Sequence, residues 1–146
     1  MNMKKWLTLL AVFAMLLVSL ACAESASGEG AERFAGRWGC GRATIDIFSA
    51  EDGTFDVTVT WSSSAWEQGE WRYRCAYDSE TGQLKSDAYG TMADVTYSGD
   101  GDVASSVIVY TDGQATFAID ADGMLIWNDL KENAAEGMRF ERGVIL

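Results

Sequence analysis

The chain has 146 residues, 11 basic against 22 acidic side chains, a formal net charge of −11 at pH 7, and neither histidine nor proline. Such an acidic excess repels nucleic acid and anionic membrane surfaces. The missing histidine removes Ser-His and Cys-His nucleophiles and the commonest zinc ligand, so no catalytic residue, metal site or cofactor is assigned.

In chain order, the first segment is a targeting signal. Met1 to Lys5 carries two lysines, Trp6 to Leu20 is uncharged, and Ala21-Cys22-Ala23 follows. Positive start, apolar run and small-residue site are the parts of a secretory signal peptide, residues 1–23. The run is short for a membrane span, which needs about 20 apolar residues. Two kinds of processing are open. Cleavage after Ala23 removes Cys22, whereas Ser19-Leu20-Ala21-Cys22 partly resembles a lipoprotein box, with Cys22 taking the lipid. The remainder is expected to be exported, secreted or in the cell envelope, and held at a membrane only if Cys22 is lipidated. Glu24 to Arg33, "ESASGEGAER", lacks apolar periodicity and is expected to be a flexible tail.

From Phe34 to Leu146 the pattern has period two, broken by glycine and aspartate turns, which indicates one all-β domain. Strands are expected over Trp38 to Ser49, Phe55 to Trp61, Glu70 to Tyr77, Leu84 to Tyr97 with a bend near Gly90, Val103 to Tyr110, Ala115 to Asp120, Met124 to Asn128 and Met138 to about Val144. Asp129 to Gly137 has helical character, because Asp129 with Glu132 fits a capping box and Gly137 can end the turn. Eight consecutive strands with short links most simply form an antiparallel up-and-down barrel, whose closure removes exposed sheet edges. Such a barrel is just wide enough to be filled by side chains or to hold one small ligand.

Cys40 and Cys75 remain after export, and an even pair in an exported chain reads as a disulfide. Carboxylates are abundant, but they sit in turns or alternate outward. Hand-type calcium loops starting at Asp100 or Asp120 fail, because Thr111 and Lys131 stand where the bidentate glutamate belongs.

The aromatic side chains are the remaining candidates. Trp61, Trp71, Tyr73, Tyr77 and Trp127 fall on apolar strand faces together with Phe117. They either fill the barrel or line a ligand site, and the sequence leaves both open. Trp66 lies in the loop "SSSAWEQG", where packing does not require it, and suits a ligand rim, a protein contact or a lid.

"FAGRW", Phe34 to Trp38, resembles the G-x-W entry of lipocalin-like, or calycin, barrels, with Gly36 and Trp38 matching. The resemblance implies that Trp38 plugs one barrel end and that an arginine of the last strand crosses it, Arg142 first and Arg139 second. The wider pattern is similar to that of small exported bacterial β-barrel proteins and implies no particular activity. The expected function is therefore a non-catalytic binding module that takes a small apolar or aromatic ligand in or at the mouth of the barrel. The alternative is a module that binds or inhibits an extracellular protein through the loop around Trp66.

Overall fold

Ile45 and Ile47 alternate with Thr44 and Asp46, Val57 and Val59 with Asp56 and Thr58, and Trp71, Tyr73 and Cys75 with Arg72 and Arg74. In the computed structural model, which describes residues 26–143, the first member of each set is buried. The expected signal peptide, Cys22 and the end of the last strand at Val144 lie outside the described residues. Ala26–Glu32 forms a two-turn helix, α1, within the segment expected to be a tail. Its glycines and lack of apolar periodicity gave no helical signal.

Ten strands follow: β1 (Gly36–Cys40), β2 (Ala43–Ser49), β3 (Phe55–Ser62), β4 (Glu67–Asp78), β5 (Gln83–Ser86), β6 (Gly90–Tyr97), β7 (Val103–Gly113), β8 (Ala115–Ile119), β9 (Leu125–Asp129) and β10 (Glu141–Arg142). Eight of them make a nearly closed antiparallel barrel in the order β10-β1-β2-β3-β4-β5-β8-β9. The last segment closes the ring. Phe140 exchanges backbone hydrogen bonds with Leu125 at 2.8 and 2.9 Å, and Arg142 pairs with Trp38 on β1.

Two expected strands are each divided. A turn at Gly41 and Arg42 splits Trp38 to Ser49 into β1 and β2, and residues 87–89 separate β5 from β6. The second division sets the shape of the candidate site. The lower half of β4, Cys75 to Asp78, pairs with β5, whereas its upper half, Glu67 to Arg72, pairs with β6. β6 and β7 thus form a hairpin that leaves the barrel at β4, while β5 continues the ring to β8. Before the last strand, residues 130–137 form successive turns. The first is closed by Asn133 N–H on the Asp129 carbonyl at 3.1 Å.

Phe34, Trp38, Ile45, Ile47, Val57, Val59, Leu84, Phe117, Leu125, Trp127 and Phe140 are essentially inaccessible. Each such side chain contributes about 1.5–3 kcal/mol by leaving water. Outside, ladder partners carry opposite charges, Arg37 with Asp46 at 2.7 Å and Arg74 with Asp56 at 2.7 Å, and Arg74 also reaches Asp52 in the turn before β3 at 2.8 Å. Arg139 holds Asp120 and Asp122.

The expected disulfide is absent: Cys40 and Cys75 are both free thiols. Strand register explains why. Cys40 is level with Ala43, Trp61 and Gly69 across β1 to β4. Gly69 lies six residues along β4 from Cys75, about 20 Å at the rise of a strand. Bridged cysteines need Cα atoms within about 7 Å.

Candidate functional site

The mouth of the barrel is built where β4 runs past the ring. Trp61 on β3 is level with Gly69 on β4 and Asp94 on β6, so these three share one row and one face. Trp71 is level with Met92, and Glu67 with Thr96, on that same face. Gly69 has no side chain, and a Cβ there would lie 2.8 Å from the Trp71 ring and 3.2 Å from the Met92 methyl. The glycine therefore makes room for the Trp71 ring and the Met92 methyl, with Trp61 one strand to one side and Asp94 one strand to the other. The two are about 10 Å apart at the spacing of neighbouring strands. The result is a half-open cleft of about 520 Å³, walled by Trp61, Trp71 and Met92 and edged by Ser63, Glu67, Gln68, Asp94 and Thr96.

Hydrogen bonding and ring packing fix the inner indole. Trp71 Nε1–H donates to the Tyr110 hydroxyl at 3.0 Å, and that hydroxyl donates to Glu132 Oε2 at 3.3 Å. The Trp71 ring meets Trp127 edge to face with centroids 5.2 Å apart, a geometry worth about 0.5–1.5 kcal/mol beyond burial. Lys131 sits over the Tyr110 ring at 5.1 Å and pairs with Asp112. Burial, then the charges of Asp129 and Glu132, push the Tyr110 hydroxyl well above its ordinary pKa, so it stays protonated. Asp129 is buried and accepts backbone N–H bonds from Lys131, Glu132 and Ala134 at 3.1 to 3.2 Å. It caps the turn that presents Lys131 and Glu132.

The candidate aromatics fall in different places. Trp61 and Trp71 line the cleft. Tyr73 and Trp127 are buried in the core, where the Tyr73 ring also meets Phe117 edge to face. Burial drives the Tyr73 hydroxyl far above its usual pKa, and the Trp127 N–H opposes this only in part. Neither polar atom completes a hydrogen bond of good geometry among the described residues. Tyr77 is six residues from Trp71, about 20 Å along β4, and its ring faces Phe34 at 6.2 Å. Trp66 is 49% exposed in a loop pinned by Ser63 and Ser64 N–H on the Glu67 carbonyl and by Tyr97 N–H on the Trp66 carbonyl.

Glu67, Gly69, Met92, Asp94 and Tyr110 were not singled out in the sequence. Continuing the β4 alternation upward from Trp71 reaches Gly69 and Glu67, which was an available signal. Met92, Asp94 and Tyr110 depend on the pairing of a hairpin that no local pattern specifies.

Trp38 lies elsewhere on the barrel. Its indole N–H donates to the Phe34 carbonyl at 2.9 Å, and Arg142 lies across its ring. Gly36 is at φ +122°, and a Cβ there would sit 3.0 Å from the Arg142 guanidinium.

No family model matches this chain, and neither a curated protein nor a solved structure matches it. Among the described residues, no group of three or more His, Cys, Asp or Glu is placed to hold a metal ion, and no helix is long and apolar enough to cross a membrane.

Proposed function

We propose that this protein is an exported, non-catalytic binding module that holds a small apolar or aromatic ligand in the cleft at the barrel mouth. The cleft at Gly69 is the observation that carries this reading: two indole walls and Met92 offer apolar faces, and the polar edge of Ser63, Glu67, Gln68, Asp94 and Thr96 can orient a small molecule against them. Its volume lies within the roughly 300–1,000 Å³ of ligand pockets. Export is supported by the character of residues 1–23. The calycin resemblance supports a carrier-type barrel through Gly36, Trp38 and Arg142 and goes no further.

Native mass spectrometry of the exported chain tests this, followed by denaturation to release and identify any retained molecule. Added mass that is lost on denaturation, and reduced in Trp61→Ala, is the expected result. A chain of unadorned mass that also binds no phenyl or indole probe would end the reading.

A second reading has its own observation. Trp66 is half exposed on a loop held by hydrogen bonds from Ser63 and Ser64 to the Glu67 carbonyl, from Tyr97 N–H to the Trp66 carbonyl and from Trp66 N–H to the Ser64 hydroxyl, and a rigid exposed tryptophan suits a protein contact. On that reading the protein acts as an interaction or inhibitor module on an extracellular protein, and Trp66→Ala abolishes partner binding with the stability unchanged.

A further inference from the structure

The residues that line the cleft include two carboxylates and no basic side chain. Glu67 and Asp94 both line it, and both share the face of Trp61 and Trp71. Their condition differs from that of the acidic groups on the outer wall, where Asp46, Asp52, Asp56, Asp120 and Asp122 are each paired with an arginine. Among the described residues, the carboxylates of Glu67 and Asp94 take part in no ion pair and accept no hydrogen bond. Arg42 lies beside the lining residue Ser63, where its Nη1–H donates to the Ser63 carbonyl at 2.9 Å, and it makes no ion pair with either carboxylate. Lys131, beyond Trp71 and Tyr110, is paired with Asp112.

Resting on the reading of the cleft as a ligand site, we infer that its ligand is a cation, with an aromatic or apolar body against Trp61 and Trp71 and an ammonium-like head between Glu67 and Asp94. Three independent features favour a positive head. Indole faces attract cations through their quadrupole. The two unpaired carboxylates offer acceptors on the same face. The net charge of −11 draws cations in from solution and repels anions. The spacing also fits: with the Trp71 ring lying over Gly69 between them, Trp61 and Asp94 stand apart by about the length of a ring with a short charged arm.

The test holds the ring constant and varies the charge. Phenethylammonium, 2-phenylethanol and 3-phenylpropanoate are titrated into the full chain at low ionic strength, with tryptophan fluorescence and calorimetry as readouts. The cation is expected to bind about tenfold or more tightly than the alcohol, with the anion weakest, and added salt shrinks the advantage. In the double variant Glu67→Gln/Asp94→Asn the cation falls to the affinity of the alcohol, while the alcohol and the urea midpoint are unmoved. Equal binding of cation and alcohol, or a preference that survives in the double variant, overturns the charge assignment and leaves the cleft as a neutral site. Binding of none of the three overturns the cleft itself and this inference with it.

Discussion

The Arg142 guanidinium lies 4.2 Å from the centre of the Trp38 ring and donates a hydrogen bond to the Ala35 carbonyl at 2.8 Å. One side chain from the last strand thus clamps the first, at the point where the barrel closes. A stacked guanidinium is worth about 0.5–2 kcal/mol and the hydrogen bond about 1 kcal/mol more. Arg142→Ala is expected to destabilise the fold by about 1–3 kcal/mol in urea unfolding, and Arg142→Lys to recover only part, because an ammonium cannot stack as a plane. Gly36→Ala should be at least as harmful, since it combines a left-handed backbone with a collision against the same guanidinium. Wild-type stability in all three variants would remove the clamp from any account of closure.

A second prediction concerns the buried hydroxyl of Tyr73, which has no hydrogen-bond partner of good geometry among the described residues. A buried polar group without a partner opposes folding, so Tyr73→Phe is expected to be neutral or to stabilise by up to about 1 kcal/mol. The ring contact with Phe117 at 5.9 Å is kept by phenylalanine. Tyr73→Leu, which removes the ring, is expected to destabilise by about 1–3 kcal/mol. A marked loss in Tyr73→Phe would show that the hydroxyl is satisfied in solution, by water or by Trp127.

These residues also show what could be read before any coordinates. Alternation placed Trp71, Tyr73 and Cys75 inside and Arg72 and Arg74 outside, because one buried face imposes period two on a strand. The barrel followed from the number of such strands and their short links. The fork at β4 did not follow, because pairing of its two halves with different partners is a long-range property, and the division at residues 87–89 looks locally like a simple bend. The strand Val103–Gly113 is exposed along nearly its whole length despite Val107, Ile108 and Val109, the reverse of what its hydrophobicity implies. The disulfide failed for a related reason: two cysteines in an exported chain suggest a bond, but only register tells whether they meet. The cleft inherits this limit, being half legible on β4 and illegible on β6.

The thiols make a third prediction. Burial pushes Cys75 up to about 12, with smaller effects from Asp87 and Asp56, while Cys40 is only half-buried. With a thiol reagent at pH 8, Cys40 is expected to react first and Cys75 only as fast as the protein opens. Reduction should leave the intact mass unchanged. A gain of two protons on reduction would restore the disulfide.

Stability should fall at both ends of the pH scale. A thiol whose folded pKa is raised from 9.0 to about 12 keeps its proton longer in the folded state, so its contribution is complete below pH 9 and is lost as the pH climbs towards 12. Asp52 and Asp78 have the opposite sign. Asp52 is held at about 2, first by the Thr54 hydroxyl and N–H and then by Arg74. Asp78 is held at about 2 by Lys85 and the Glu80 N–H. Their support is present above pH 4 and is lost as the pH falls towards 2. Urea midpoints measured from pH 2 to 11 should trace both limbs, and Cys75→Ala should make the alkaline one shallower, with the raised Tyr73 and Tyr110 hydroxyls keeping the rest of it. An alkaline slope unchanged in Cys75→Ala would mean that the thiol is less shielded than its burial indicates.

The last prediction separates the wall of the cleft from its support. Tyr110 lies outside the cleft lining, yet its hydroxyl accepts the Trp71 N–H and links it to Glu132. Tyr110→Phe keeps the ring beneath Lys131 but strands the indole N–H, at a cost of about 1–2 kcal/mol. It also removes the bond that fixes the tilt of the Trp71 ring where it lies over the bare Gly69. Binding of an aromatic probe should therefore weaken about three- to tenfold, accompanied by a change in tryptophan emission. Trp66→Ala should leave probe binding unchanged, because Trp66 is not among the residues that line the cleft. If Tyr110→Phe binds as tightly as the wild type, Trp71 is held by its edge contact with Trp127 alone, and the chain from Glu132 through Tyr110 has no part in shaping the site.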